Sequence, residues 1–174
     1  MDRAAFASFY REHYTGLVGF FFRRVADREL ARDLAAEAFR IAWSKSDAGA
    51  ELSRAFLFGV ARNLVGDEWR RRARSGVMDE LPDELQAPDQ HDATDVRLSL
   101  AGLPPSERDV LVLTYWDGLS AAEVAAVLGI SRANVWTRLH RARRAFAAAW
   151  HGTAPSPATV AAPSTRTRAA KESS

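Results

Sequence analysis

Apolar residues recur at helical intervals along the chain, most clearly in two short segments toward its C-terminal end. Ser120 and Glu123 form the S-x-x-E pattern of a capping box before the first of these segments. Gly129 suits a helix C-terminus, and Ser131 can cap the segment that follows. The second segment carries an apolar stripe at positions Val135, Leu139, Ala142 and Phe146. The pattern predicts two short helices joined by a tight turn.

The face of the second helix that lies opposite this stripe is polar and strongly basic. We expect base contacts from the residues at its centre, which are Arg132, Trp136, Thr137 and His140. Phosphate contacts are expected from the flanking arginines Arg138, Arg141 and Arg143. A first helix of small residues, a glycine turn and an arginine-rich second helix are typical of a DNA-binding helix-turn-helix. The alternative is an αα-hairpin with a solvated basic face.

Upstream, helical periodicity predicts three further helices, with N-caps at Asp2, Asp27 and Ser53. The composition of Ser44 to Glu51 predicts a loop between the second and the third. A helical pattern restarts at Val96 to Ala101, and another helix is expected at about residues 106–115, with Pro105 suited to its first turn. No strand pattern is found. We therefore predict an all-α fold of two small helical domains, the second of which is the helix-turn-helix.

Charge is distributed unevenly, and this pattern predicts the domain boundaries. Residues 1–74 hold 14 basic and 10 acidic side chains, whereas residues 75–99 hold one arginine and seven acids. Residues 100–150 are basic again, with six arginines and four acids. The acidic segment has few large apolar groups, so we expect a flexible linker there. Residues 151–174 are rich in proline, alanine, serine and threonine, and we expect a disordered tail.

Several classes of protein are disfavoured by what the sequence lacks. It has no apolar run of the roughly 18 residues that a membrane span needs, and its start lacks the apolar core of a signal peptide. We therefore expect a cytoplasmic protein with no membrane span of its own. There is no cysteine, the four histidines do not have zinc-ligand spacing, and no glycine-rich phosphate loop is present. We expect no cofactor, no metal site and no catalytic residue, and hence not an enzyme.

A family resemblance is carried by three segments, at residues 28–43, 56–72 and 103–144. They resemble bacterial RNA polymerase sigma factors of the extracytoplasmic-function (ECF) class. RELARDLAAEAFRIAW at 28–43 resembles the family's polymerase-binding helix, and FLFGVARNLVGDEWRRR at 56–72 resembles its promoter-melting helix, with an intact A-R-N triplet. Residues 103–144 match the C-terminal domain nearly throughout. The three segments occur in the family's order. Departures from the usual pattern are found at Ala36, Ala55, Asn134 and Trp136.

The resemblance implies a sigma factor that binds core RNA polymerase and directs it to promoter DNA. The C-terminal domain would read the upstream (minus-thirty-five) element, and the N-terminal domain would bind the opened downstream (minus-ten) element. Expected contacts to the opened strand are Asn63, in a base-reading pocket, and the cationic side chains Arg62, Arg70, Arg71 and Arg72. Expected polymerase contacts are Asp33, Leu34, Glu37, Phe39 and Arg40.

The family also implies an anti-sigma factor as a further partner. The alternative function is a stand-alone helix-turn-helix transcriptional regulator that does not dock on polymerase. For the charged helix 28–43 the alternative is simple surface ion pairing between residues three or four positions apart.

Overall fold

The computed structural model describes residues 2–49, 51–75 and 92–153. These ranges fold into seven α-helices and contain no strand, which confirms the predicted all-α fold. The helices are α1 (Arg3–Val25), α2 (Arg28–Asp47), α3 (Arg54–Arg74), α4 (Asp92–Ala101), α5 (Pro105–Tyr115), α6 (Ala121–Leu128) and α7 (Arg132–Thr153).

The three predicted N-caps of the first helices are confirmed. An Asp2 Oδ1 oxygen accepts a hydrogen bond from the amide of Ala5 at 2.8 Å. Asp27 Oδ1 accepts from the amide of Leu30 at 3.0 Å, and Ser53 Oγ accepts from the third amide of α3. Each cap satisfies an amide that the first helical turn leaves without an intrahelical partner.

Two helices continue through segments whose local composition disfavours a helix. The helix α1 continues through Gly16 and Gly19 to Val25, because Leu17, Phe20 and Phe21 are buried and tertiary packing outweighs the weak propensity of glycine. The helix α2 runs to Asp47, so the segment predicted as a loop is helical up to that residue.

The predicted acidic linker, 75–99, includes the first residues of a helix. The helix α4 begins at Asp92 and packs against α7, with Ser99 and Leu100 buried. The remainder of the predicted linker, 76–91, lies outside the described residues. The helix α7 reaches Thr153, so the first residues of the predicted tail are helical and 154–174 lie outside the description.

The helices form an N-terminal module (α1–α3) and a C-terminal module (α4–α7). In the first, the three helices pack pairwise, and in the second α4, α5 and α6 pack on α7. The modules also touch each other, because α3 packs against α6. Buried apolar residues therefore form one continuous core that runs through both modules. Among the described residues, no helix has the length and apolar character to cross a membrane.

Candidate nucleic-acid interface

The helices α6 and α7 form the predicted helix-turn-helix. Ser120 and Glu123 make a reciprocal capping box, in which the Ser120 amide donates to Glu123 Oε2 at 2.8 Å and the Glu123 amide donates to Ser120 Oγ at 3.3 Å. Gly129 ends α6 with φ +65°, a left-handed conformation that glycine adopts without steric cost. Ser131 Oγ then accepts from the amide of Asn134 at 3.2 Å. Local sequence chemistry thus fixes the turn.

The outward face of α7 carries the residues predicted to contact bases. Trp136 is 55% exposed, although an indole of this size is usually mostly covered. Arg132, Thr137 and His140 are exposed on the same helix, while its apolar stripe is turned into the core. The face has the basic and amphipathic side chains needed to read base edges in a major groove.

Two of the predicted phosphate-contacting arginines are held by neighbours within the C-terminal module. Arg138 Nε donates to Asn134 Oδ1 at 3.1 Å, one helical turn away. Arg143 Nε donates to the Tyr115 hydroxyl at 2.7 Å, and its guanidinium lies 5.5 Å from the centre of the same ring. Sequence reasoning did not find Tyr115, since its partner is 28 positions away and no periodicity connects them. Arg141 is exposed.

A second polar surface lies on α3, where Arg62 and Asn63 are exposed. Asn63 lines a cleft of about 320 Å³, together with Phe20, Arg24, Arg62, Val65, Gly66, Arg70, Asp109 and Leu113. Asp109 and Leu113 belong to α5, so the C-terminal module forms one wall of this cleft. The volume is at the lower end of the range of small-molecule pockets. The cleft combines an amide, three guanidinium groups and an aromatic ring.

The basic end of α3 is neutralised in part by its own acids. Arg70 pairs with Asp67 on the helix surface. Glu68 is largely buried, and its carboxylate accepts from Arg71 Nε and from Arg72 Nε, both at 2.8 Å. These hydrogen bonds, the one from Arg71 first, lower the pKa of Glu68 although partial burial opposes them. Three of the arginines predicted to contact the opened strand, Arg70, Arg71 and Arg72, are therefore already paired with carboxylates in the free chain.

The residues predicted to bind polymerase lie on α2 and differ in accessibility. Asp33 is exposed, and Leu34 is half-buried against the core. Arg40 makes two hydrogen bonds to the Glu37 carboxylate, at 2.6 and 2.7 Å, so this pair is an exposed intrahelical ion pair in the free chain. Phe39 is 3% exposed. Its ring therefore supports the α2 surface from beneath and offers almost no area to a partner.

A cluster that sequence reasoning missed joins the two modules. Arg23 and Arg24, at the end of α1, both pair with the carboxylate of Asp117, whose side chain is fully buried. Arg54, in the first turn of α3, donates to the carbonyl oxygens of Asp117 and Gly118. Burial lowers the pKa of the Arg24 guanidinium, and the nearby Asp117 carboxylate acts in the opposite direction.

Comparison with known families identifies both modules. Residues 9–75 match Sigma-70 region 2, and residues 94–146 match Sigma-70 region 4. The chain is 33% identical to the ECF RNA polymerase sigma factor SigL of Mycobacterium tuberculosis, over 83% of this chain and 88% of SigL. It is 29% identical to the RNA polymerase sigma factor YlaC of Bacillus subtilis, over 81% of this chain and 89% of YlaC.

Solved structures agree with this assignment. CnrH, solved in complex with the cytosolic domain of CnrY, is 26% identical with a TM-score of 0.64, covering 87% of this chain and 91% of CnrH. The sigma factor RpoE from Bartonella quintana, solved in complex with the anti-sigma factor NepR, shares the fold, with 24% identity, a TM-score of 0.68 and coverage of 84% and 97%.

A stand-alone regulator is not favoured, because the match includes region 2 as well as the helix-turn-helix. The confirmed resemblance carries the function of the family with it, which is to bind core polymerase and direct it to promoters. The chain belongs to the ECF sigma factors of bacterial RNA polymerase.

Proposed function

We propose that the two modules divide promoter recognition between them. The C-terminal module reads the upstream element as duplex, and the N-terminal module binds core polymerase and the opened downstream element. The observation that carries this proposal is the presence of two separate exposed surfaces, one around Trp136 on α7 and one around Asn63 on α3. Each surface suits its target. Reading a duplex needs a helix face that fits a groove, as on α7, whereas binding a single strand needs a cleft for bases, as on α3.

In the upstream complex, Arg132, Trp136, Thr137 and His140 contact base edges. Arginine can bond guanine in a bidentate manner, threonine can pack on a thymine methyl, and the indole supplies apolar contact. Arg138, Arg141 and Arg143 contact phosphates and fix the position of the helix. The hydrogen bonds that Arg138 donates to Asn134 and Arg143 donates to the Tyr115 hydroxyl support this division, since they orient the two arginines before DNA arrives.

In the downstream complex, the Asn63 amide reads the edge of an unpaired base, and Arg62 holds the adjoining backbone. The exposure of both side chains beside a cleft supports these roles. Arg70, Arg71 and Arg72 add positive potential along the strand, although phosphates must compete with Asp67 and Glu68 for them. Free of polymerase, the chain binds DNA weakly and with a steep salt dependence.

Core polymerase is bound by the α2 surface, with Asp33 and the Glu37–Arg40 pair as its charged contacts and Leu34 as its apolar one. The protein acts in the cytoplasm, where polymerase works, as a non-catalytic initiation factor. An anti-sigma factor keeps it inactive. This last assignment is supported by the likeness to RpoE, which was solved with NepR.

Run-off transcription with purified core polymerase tests the proposal, using a promoter recovered by selection from a random pool with the wild-type holoenzyme. Asn63→Ala should lower the transcript yield about 3- to 10-fold, the effect of one lost hydrogen bond to a base. The defect should persist on a template with a mismatched bubble at the downstream element, because base reading is still required there.

Glu12→Ala, on the exposed side of α1, is the control and should transcribe like the wild type. Equal yields from Asn63→Ala and the wild type on both templates would rule out the role assigned to Asn63.

A further inference from the structure

A glycine, Gly66, lies in the middle of α3, the helix that also carries Asn63. Glycine is among the least favourable residues in a helix interior, because its backbone loses the most conformational freedom there. The backbone at Gly66 does not require it: among the described residues, the glycines with positive φ are Gly49, Gly118 and Gly129. The conformation at position 66 is therefore one that alanine adopts more readily than glycine.

Packing inside the protein does not require a glycine at position 66 either. A Cβ atom built there would lie 3.4 Å from Arg70 Nη1, and the next two nearest atoms, at 3.8 and 3.9 Å, belong to the same guanidinium. The Arg70 side chain is 64% exposed, so its end can move by a few tenths of an ångström at little cost. Neither the conformation of the backbone nor its neighbours thus explain the missing side chain.

The space beside Gly66 opens into the cleft of about 320 Å³ that Asn63 and Arg62 also line. We call it the strand-binding cleft. Gly66 follows Asn63 by three positions, so the two residues are neighbours on one face of α3, with about 5–6 Å between their Cβ positions. A methyl group at position 66 would therefore stand next to the amide that is proposed to read a base.

A missing side chain lets a ligand approach the main chain closely, which is one of the uses of glycine in proteins. The approach matters here because an amide hydrogen bond needs a distance of about 2.9 Å and weakens steeply when its geometry is lost. A flat base can lie against the bare backbone at Gly66 and still reach the Asn63 amide. The same base would be held away by the thickness of a methyl group if position 66 were alanine.

We propose that Gly66 is a specificity-determining residue of the strand-binding cleft. The base that Asn63 reads lies against the bare backbone of α3 at Gly66, and any side chain there excludes it from hydrogen-bond distance. This inference rests on the proposed function, since it needs Asn63 to read a base. It also explains why α3 keeps a glycine that lowers its own stability.

Gly66→Ala tests the proposal because its two effects have opposite signs. The variant should raise the midpoint of urea unfolding, since alanine favours a helix. With core polymerase and the selected promoter, it should lower the run-off transcript yield at least about fivefold, the smaller effect of an added methyl group in a filled site. A rise in stability also shows that the loss of transcript does not come from misfolding.

The matched control is Gly16→Ala. Gly16 is an exposed helical glycine of α1, and a Cβ atom added there meets nothing within 4 Å. This variant should also raise the midpoint of unfolding, but it should transcribe like the wild type.

A template without the base separates exclusion of the base from stiffening of the helix. The template has a mismatched bubble at the downstream element and an abasic nucleotide at the position where Asn63→Ala loses its base preference. On it, Gly66→Ala, Asn63→Ala and the wild type should give equal yields, because there is no base to read or to exclude. If alanine acted by stiffening α3, the defect of Gly66→Ala would persist.

A double variant tests whether the added methyl group acts through Arg70. Gly66→Ala should lower the yield by the same factor in the Arg70→Gln background as in the wild type, because it acts on the base directly. No further fall in that background would mean that the methyl group acts by displacing Arg70, and it would overturn the proposal.

The role of Gly66 is also refuted if Gly66→Ala transcribes like the wild type while Asn63→Ala is defective, or if its defect persists on the abasic template. Failure of the proposed function gives a different pattern. In that case Asn63→Ala itself transcribes normally on the promoter with all its bases.

Discussion

Glu68 shows how the arginine-rich end of α3 is arranged at the scale of single residues. Its carboxylate takes hydrogen bonds from Arg71 and Arg72, and Arg72 also lies 3.5 Å from the carbonyl oxygen of Val25. Arg72 thus links the end of α3 to the end of α1. These guanidinium groups already have Glu68 as a partner in the free protein. A DNA phosphate that binds them therefore gains only the difference in free energy between its own ion pair and the one with Glu68.

The lowered pKa of Glu68 predicts a specific pH dependence of stability. Its folded-state pKa lies below the ordinary value of 4.5, so its contribution to the free energy of unfolding is fully present above that pH and is lost as the pH falls through the folded-state pKa. Urea unfolding should therefore show a lower midpoint for Glu68→Gln than for the wild type at pH 7, and a narrowing difference below about pH 4. A difference that stays constant with pH would contradict this assignment.

At the scale of the element, α7 has three differently used sides. Val135, Leu139 and Ala142 are buried, Trp136 stands at the centre of the exposed face, and Arg143 is oriented by Tyr115. A helix in a major groove reads bases with one face and touches phosphates with its flanks. Substitutions on the face and on the flank should therefore fail in different ways.

Arg132→Ala and Arg141→Ala separate these two roles. Loss of a base contact by Arg132→Ala should cost about 1–3 kcal/mol and relax the preference at one base pair, whereas loss of a phosphate contact by Arg141→Ala should weaken all sequences alike. For Arg141→Ala, the slope of the logarithm of the binding constant against the logarithm of the salt concentration should become shallower by about one. Fluorescence anisotropy of the holoenzyme on matched and single-mismatch duplexes, at several salt concentrations, measures both. Identical specificity and identical salt slopes would mean that neither arginine has the role assigned to it.

The helix-turn-helix could be predicted from sequence because its signals are local. The Ser120 cap, the Gly129 stop and the apolar stripe of α7 each lie within a few residues of what they determine. The end of α2 could not be predicted in this way, because a helix tolerates serine and lysine, and the burial of Ser46 depends on tertiary packing. Composition alone therefore placed a loop where the helix continues.

The exposure of the candidate surfaces could also be predicted from local spacing. Asn63 and Trp136 are exposed as expected, since helical spacing separates them from the apolar stripes. The approach of α5 to Asn63 was not predictable. Near the end of α5, Asp117 pairs with Arg23 across 94 positions of sequence, and no periodic pattern predicts such a contact. Likewise, spacing alone did not distinguish the buried Phe39 from its exposed neighbours on α2.

At the scale of the whole molecule, the two sigma regions share one apolar core. Leu113 is 2% exposed and lies at the cleft where α5 faces α3, so its surroundings include both modules. Elements that share a continuous buried cluster unfold together when the cluster is disrupted. We therefore expect one free energy of unfolding for the two modules together and not a separate one for each module.

Leu113→Ala should lower the free energy of unfolding by about 2–5 kcal/mol, the usual cost of a cavity in a core. The loss should be reported equally by a label in the N-terminal module and one in the C-terminal module during urea unfolding. Leu98→Ala, at a position that is 59% exposed, is the matched control and should change stability by less than about 0.5 kcal/mol. A midpoint that moves only in the C-terminal module would show that the two fold independently.

The continuous core has a consequence for the chain as a covalent object. A polypeptide normally keeps its domains together through the peptide bonds between them, but here α3 and α6 touch directly and three arginines bridge the gap. A proteolytic cut between Ser75 and Asp92 would then leave the two fragments associated. Produced from two separate genes, the same fragments would be expected to meet as a heterodimer, in which the partner of each sigma region is the other one.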